Sequence, residues 1–457
     1  MVARTYKLRN FREFVKTKIF FGNEPTPELI AILSVYFVQG ILELARLAVS
    51  FFLKDDLGLT PAEVAAITGI ASLPWVIKPL FGFLSDGLPI LNYRRRPYII
   101  LSGILGTASW LAIATVVHDT ATAMLAMLVS SLSVAISDVI VDSLVVERAR
   151  NESFSQTGSL QSLCWGTSAL GGLITAYLSG WLLQQFTTQT VFLITATFPL
   201  ITCFVAWLIA ESPVTTGLNF SRVGSQIKQL RQAITQKSIW LPTAFIFLWQ
   251  ATPSAESAFF FFSTNELGFE AEFLGKVRLV TSVAALVGVW IYQRFLKQIS
   301  LRLILGWSIV ISCALGMTTL ILVTHANRAL GIDDYWFSLG DSLILTVMGQ
   351  IAFMPVLVLS ARLCPPGIEA TLFALLMSIW NLALTLSQEL GALLTHLLGV
   401  TETNFEYLWL LLVITNLSTL LPLPFIGWLP SMEAIDTDKT EETENEEDNK
   451  ELQPLTL

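Results

Sequence analysis

Long apolar runs alternate with short polar turns along nearly the whole chain. A helix of about twenty predominantly apolar residues crosses roughly 30 Å of hydrocarbon, and reading the chain on that template predicts twelve spans. Six are expected near 28–53, 61–84, 97–117, 121–145, 156–183 and 189–210. Six more are expected near 239–262, 272–295, 301–324, 337–361, 369–398 and 406–429. Between the sixes runs a polar connector from Glu211 to Lys237 with Arg222, Lys228 and Arg231. The expected organisation is an N-terminal segment (1–27), a six-helix bundle (28–210), a linker (211–238), a second six-helix bundle (239–429) and a tail (430–457).

Composition sharpens this. With 53% hydrophobic and only 14% charged residues, the chain departs far from the roughly 25% charged content of soluble domains, so an all-α polytopic membrane protein is expected. The formal net charge of −8 does not describe the membrane body, because ten acids and two lysines lie between Glu433 and Glu451 in a polar stretch that reads as a disordered cytoplasmic tail. With both termini cytoplasmic, 21 of the 27 Lys and Arg fall on the cytoplasmic side, and Lys54 and Arg328 fall in external loops. That bias sets the expected orientation. The basic N-terminal stretch lacks the apolar core of a secretory signal and reads as a cytoplasmic amphipathic lead-in, with an organellar transit peptide as the alternative. Cys164, Cys203, Cys313 and Cys364 are isolated and expected as free packing thiols.

The segment from Phe81 to Pro97 is a charged turn between two apolar spans, ending in Arg94, Arg95 and Arg96. Two six-span halves joined by a long cytoplasmic loop are the layout of the major facilitator superfamily, in which substrate binds between halves, and this turn resembles its signature between the second and third helices. Twelve helices in two pseudo-symmetric six-helix bundles are therefore expected. Four sequences carry a closer resemblance: Ser85-Asp86-Gly87-Leu88-Pro89, Tyr93-Arg94-Arg95-Arg96-Pro97-Tyr98, Ser137-Asp138-Val139-Ile140-Val141-Asp142-Ser143 and Glu147-Arg148-Ala149-Arg150. With Glu43-Leu44-Ala45-Arg46 and Leu73-Pro74-Trp75-Val76-Ile77-Lys78-Pro79, they resemble the folate-biopterin transporter family in order and spacing. The dense motifs lie between Gln39 and Arg150; the second half matches mainly in layout. The resemblance implies secondary transport of folates or pterins without an ATP-binding module.

Glu43, Arg46, Lys78, Asp138, Asp142, Glu256 and Glu389 fall inside the predicted spans. At roughly 2.5–3.5 kcal/mol each for an uncompensated mid-membrane charge, they must be paired, protonated or facing a water-filled cavity. Glu43 and Arg46 share a helix face; they read either as a local salt bridge or as a carboxylate anchor that Glu43 releases to substrate. Asp138 and Asp142 also share a face, with Lys78 as the expected partner, and one of the two carboxylates is expected to hold a proton. The reading for this group is a gate at Asp142 and a substrate or proton role at Asp138, against a charge relay that never touches substrate. Glu256 follows Gln250 and Pro253, where the proline is expected to interrupt the helix. Glu389, with Gln388 and Asn381, gives the eleventh span a polar stripe, and Lys276 and Arg278 open the eighth. The excess of acids motivates a proton-coupling expectation resting on Asp138, Asp142 and Glu43.

A flat pterin ring calls for stacking surfaces beside amide or carboxylate partners. Trp75, Trp165, Phe259 and Trp380 stand near polar residues, and Gln161 with Trp165, one helical turn apart, is the pair expected at the ring. Most of the thirteen tryptophans are expected at the membrane interface instead. The substrate set is thus Arg46, Glu43, Lys78, Asp138, Gln161, Trp165, Trp75 and Glu256. Asp86 with Arg94, Arg95 and Arg96 is expected as a cytoplasmic latch, by analogy with the superfamily. Gly158, Gly166, Gly171, Gly172 and Gly180 form a small-residue set for close helix approach. No His-Glu-x-x-His or phosphate-cradling Gly-x-x-x-x-Gly-Lys sequence is present, so no enzyme activity, metal, cofactor or nucleic-acid partner is expected. The expected setting is a monomer in a bacterial plasma membrane, with the chloroplast envelope as the alternative. Two other functions fit the same layout: a transporter-like assembly factor for photosynthetic pigment complexes, and a carrier of another aromatic anion.

Overall fold

The computed structural model describes residues 23–149, 159–213, 235–296, 299–362 and 369–430, and these are almost entirely helical. In chain order the rods of the first half are α1 (Pro27–Asp56), α2 (Pro61–Ser85), α3 (Arg96–Thr115), α4 (Thr120–Val145), α5 (Ser159–Gln185) and α6 (Thr188–Leu208). Those of the second half are α7 (Lys237–Gln250, resuming as Glu256–Phe261), α8 (Ala271–Leu296), α9 (Leu301–Val323), α10 (Asp334–Val356), α11 (Glu369–Leu397) and α12 (Leu408–Trp428). Among the described residues, all but α5, α7 and α11 are single rods long and apolar enough to cross a membrane. The N-terminal segment, most of the linker and the acidic tail lie outside the described residues, as do Cys364 and Gly158.

Local chemistry sets the starts of the rods. Thr26 caps α1, accepting from Leu29 N–H at 3.2 Å, with Pro27 in the first turn. Thr60 and Glu63 form a reciprocal capping box at α2, again with proline following the cap. The start of α3 is capped from far along the chain: the Glu211 carboxylate accepts from the N–H groups of Arg94 at 2.5 Å, Arg95 at 2.9 Å and Arg96 at 3.1 Å. An anion there satisfies donors that the helix cannot pair internally, and it ties the end of α6 to the arginine turn.

The two halves repeat a distinctive corner. α1 ends in a widened turn at Phe52–Asp56 and the rod of α7 in one at Phe262–Glu266, each followed by Leu-Gly with the glycine at positive φ, 64° at Gly58 and 68° at Gly268. Only glycine takes that conformation without steric cost. Residues 52 and 262, the helix starts 61 and 271, and the charged pair 46 and 256 all share one offset. The repeats meet at the face opposite the start of α1 and the end of α12, called here the far side. Lys54 Nζ donates to Asn265 Oδ1 at 2.8 Å, and Phe51 meets Phe260 edge-on at 5.3 Å. Lys54 was expected in a loop; it belongs to the last turn of α1, because the widened turn continues the helix beyond the apolar run.

Backbones approach closely where glycines face each other. A Cβ added at Gly171 would lie 2.7 Å from the Phe37 carbonyl oxygen, and one at Gly40 would strike the Ser168 carbonyl, so α1 and α5 touch backbone to backbone. Gly180 of α5 and Gly275 of α8 do the same across the halves, with an added Cβ at Gly275 only 2.9 Å from the Gly180 Cα. Gly166 meets nothing within 4 Å and takes no part in this packing. The apolar core around Phe52, Trp110 and Phe192 recruits Phe261, Phe260 and Phe405 from the second half, forming a plug across the far side.

Candidate functional site

A cavity of about 630 Å³ opens in the first half, lined among others by Gln39 and Glu43 of α1, Thr68, Ser72 and Trp75 of α2 and Ser130 of α4. That volume suits a small organic ligand. Two charged clusters flank it at different depths, and α1 serves both. Tyr36, Gln39, Glu43 and Arg46 recur at helical spacing, so one stripe of α1 faces inward, and Tyr36 and Arg46 stand on the order of 15 Å apart along the axis.

The cluster nearer the far side joins the halves. Arg46 Nη1 lies 3.6 Å from Glu43 and Nη2 lies 3.5 Å from Glu256 of α7. From α8, Arg278 donates to the Glu43 carboxylate at 3.0 Å and to the Glu43 carbonyl at 3.2 Å. The helical ladder of α1 is interrupted at Glu43 and resumes at Leu44, and this carbonyl accepts from Arg46 N–H at 3.2 Å as well as from Arg278. α7 is interrupted at the corresponding level, over 251–255 around Pro253. Its backbone is satisfied by α11, with Ser254 N–H donating to the Ser387 carbonyl at 3.1 Å and the Ser387 hydroxyl to the Thr252 carbonyl at 2.6 Å. The Arg46 and Glu256 side chains remain 63% and 64% exposed within the protein's concavity. Their pairs are therefore loose and hydrated, of the kind that contributes little to stability and yields to a better partner.

The second cluster is enclosed at Lys78 and Asp138 but open at Asp142, whose side chain is 42% exposed. Lys78 of α2 bonds Asp138 and lies 3.0 Å from Asp142, both on α4, and Tyr36 donates to the other Asp142 oxygen at 2.5 Å. Lys78 and Asp138 side chains are only 14% and 11% exposed. One ammonium against two carboxylates leaves a negative charge over unless a proton is held there as well. Gln39 lies against Asp138, yet its Nε2 makes no hydrogen bond of good geometry. Trp75 links this cluster to the cavity: Lys78 Nζ sits 5.6 Å from its ring centre, and its carbonyl accepts from Asn381 of α11 at 3.2 Å.

The structure thus brings together Glu43, Arg46 and Glu256, and separately Lys78, Asp138 and Asp142. Of the aromatic candidates, Trp75 lines the cavity. Trp165 is 53% exposed and stands one turn along the α5 face from Ser168 and Ala169, which do line it; the Gln161 side chain lies outside the described residues. Trp380 packs against Trp249 and Phe353, and Phe259 against a separate core in the second half, away from the cavity lining. The described partners of the arginine turn are in its own half: Arg95 binds Glu147 at 2.7 Å, and the Arg96 guanidinium binds the Ile209 carbonyl. The Asp86 side chain lies outside the described residues. Lys276 pairs with Glu272 at 2.9 Å on its own helix, whereas Arg278 turns inward. Sequence reasoning missed Tyr36 and Gln39 and left Arg278 without a role; the helical spacing along α1 held the signal for the first two. Among the described residues no three His, Cys, Asp or Glu side chains converge as a metal site requires.

Two solved structures share the fold: a D-xylose-proton symporter (TM-score 0.64, 13% identity, covering 88% of this chain and 98% of the other) and a nucleoside transporter (TM-score 0.64, 14% identity, 88% and 98%). At such identities the likeness speaks for architecture alone. The chain is 63% identical over 437 residues to a folate-biopterin transporter of Synechocystis sp., spanning 96% of this chain and 88% of that protein. It is 31% identical to folate transporter 2 of Plasmodium falciparum, spanning 89% and 88%. The pattern of the BT1 family matches residues 39–450. With its helical rods, shared architecture and near full-length kinship to transporters rather than enzymes, the chain belongs to the BT1 family, the folate-biopterin transporters, on the major facilitator fold.

Proposed function

We propose that this protein moves folates or related pterins across a membrane by alternating access, with proton movement as the driving force. The observation that carries this reading is the pair of arginines, Arg46 from one half and Arg278 from the other, converging on Glu43 at the edge of the cavity. A ligand carboxylate can replace Glu43 or Glu256 on these guanidiniums through charge-assisted, fork-shaped hydrogen bonds. Trp75, with Lys78 beneath it, offers a face to an aromatic ring. The names of the relatives agree with such a substrate. Far-side closure through Lys54 with Asn265 and Gly180 with Gly275 fits a state closed on that side, and parting of the halves there would present the arginines to the opposite compartment. The Lys78, Asp138 and Asp142 cluster takes up and gives back the proton. The excess of Lys and Arg in the loops on the side of the termini supports a cytoplasmic placement of both ends, and the bacterial plasma membrane is the setting of this reading.

Uptake of labelled folate into proteoliposomes holding the full chain tests this, with Arg46→Ala alongside and an imposed pH gradient. Saturable uptake, stimulated by protons moving with the substrate and strongly reduced in Arg46→Ala, is the expected result. Absence of flux from the folded protein would overturn it and turn the search to other aromatic anions.

A further inference from the structure

Glu389 is a charged-type side chain that neither cluster uses. It sits on α11, eight residues from the helix end at Leu397, while Gly69, against which it lies, is eight residues from the start of α2 at Pro61. Both positions place it about 12 Å below the far side, near the level of Arg46 and Glu256. The residue is half-buried as a whole, but its Oε1 is buried and has no hydrogen-bond partner. Gly69 makes the room: a Cβ there would lie 2.6 Å from Oε1. Charged groups on the elements around it are committed elsewhere. On α2, Glu63 bonds the Thr60 cap and Lys78 the Asp138 and Asp142 carboxylates. Glu256 of α7 pairs with Arg46, Arg278 of α8 with Glu43, and Asp341 of α10 bonds Thr318 and Thr319. α12 carries no ionisable side chain from Leu408 to Trp428.

Position makes this more than an orphaned acid. α2 and α11 belong to opposite halves and meet along a polar seam, with Ser72 and Thr385 hydroxyls 2.7 Å apart and Asn381 bonded to the Trp75 carbonyl. If the halves part on the far side, Gly69 lifts away and Oε1 meets water from that side. While they stay together, an oxygen is covered by glycine with no base to balance it, and the neutral acid is the form such a place tolerates.

We propose that Glu389 is a second proton-carrying site, on the C-terminal half, holding a proton while the α2–α11 seam is closed and exchanging it with the far compartment when the seam opens. The proposal rests on the transporter reading above and differs from the Lys78 cluster in having no paired base. The chemistry is one reversible dissociation, carboxylic acid to carboxylate plus a proton delivered to water.

Two measurements on the full chain in liposomes test it. Dicyclohexylcarbodiimide attacks protonated carboxyls in apolar surroundings, and mass spectrometry of the peptide containing Glu389 reads the product. Labelling that is present in acid and neutral buffer, fades as pH rises and is absent in Glu389→Gln is expected; a wild-type protein unlabelled there at every pH overturns the proposal without any variant having to fold, whatever the substrate is. In the second, Glu389→Gln is expected to keep substrate exchange at equal pH and to lose acceleration by a pH gradient, while Glu389→Asp retains it. A Glu389→Gln protein that responds to the gradient as the wild type does overturns the proposal and leaves the folate reading standing. Wild-type protein that is labelled at Glu389 but carries no folate overturns the substrate assignment alone.

Discussion

Arg46 and Arg278 sit in one electrostatic unit but enter it differently, and their substitutions should separate. Arg46 is the more accessible and shares two glutamates at 3.5–3.6 Å, whereas Arg278 also holds the Glu43 carbonyl. A charge-assisted hydrogen bond is worth about 1.5–3 kcal/mol, so Arg46→Ala should lower folate kcat/KM roughly tenfold or more with little change in thermal stability. Arg278→Ala should lower both transport and the unfolding temperature in detergent, because it also removes a link from the second half to the Glu43 carbonyl where the α1 ladder is interrupted. Arg46→Lys keeps the charge but not the fork, and intermediate uptake is expected. Tyr36→Phe removes the 2.5 Å hydrogen bond to Asp142 and should cost about 1.5–3 kcal/mol of stability, read as a lower unfolding temperature with the protein still inserted. The charged members of both clusters were visible in the sequence because ionisable residues inside apolar spans demand explanation. Tyr36 was not, since a tyrosine in an apolar run is ordinary and only the bonded Asp142, 106 positions away, gives it meaning.

At the scale of elements, breaks and glycines decide what can move. The α7 break was legible because proline cannot continue a helix, but the α1 interruption at Glu43 has no proline, only Gly40 one turn before it; the Arg278 contact to the Glu43 carbonyl comes from the other half. Gly180 and Gly275 bring α5 and α8 together with no space for a side chain. Gly180→Leu should wedge that seam open, lower transport severely, and raise labelling by a water-soluble maleimide of a cysteine placed at Thr68, with surface expression retained. Normal transport by Gly180→Leu would show that the far side need not close this tightly.

For the whole molecule, the repeated corner at 52–58 and 262–268 is the meeting point of the halves. Replacing Lys54 and Asn265 with cysteines, in a chain whose four native cysteines are removed, should let a short bifunctional methanethiosulfonate staple the far side shut. Transport should stop on cross-linking and return on reduction, whereas either single substitution should be insensitive to the reagent. Unimpaired transport by the cross-linked protein would contradict far-side opening as part of the cycle.

The sequence by itself determined the membrane body, its rods and the residues that need partners, because hydrocarbon thickness dictates run length and the cost of charge in lipid makes every buried acid and base conspicuous. Motif order between Gln39 and Arg150 pointed to the family for the same local reason. Which charges pair was decided only by the tertiary structure: Glu43 faces Arg278 and Arg46 faces Glu256 because two repeats pack around a common axis, and Glu389 is left alone because Gly69 of the other half covers it. Such contacts join positions hundreds of residues apart, and helical periodicity fixes only which face a residue occupies, not which helix stands opposite.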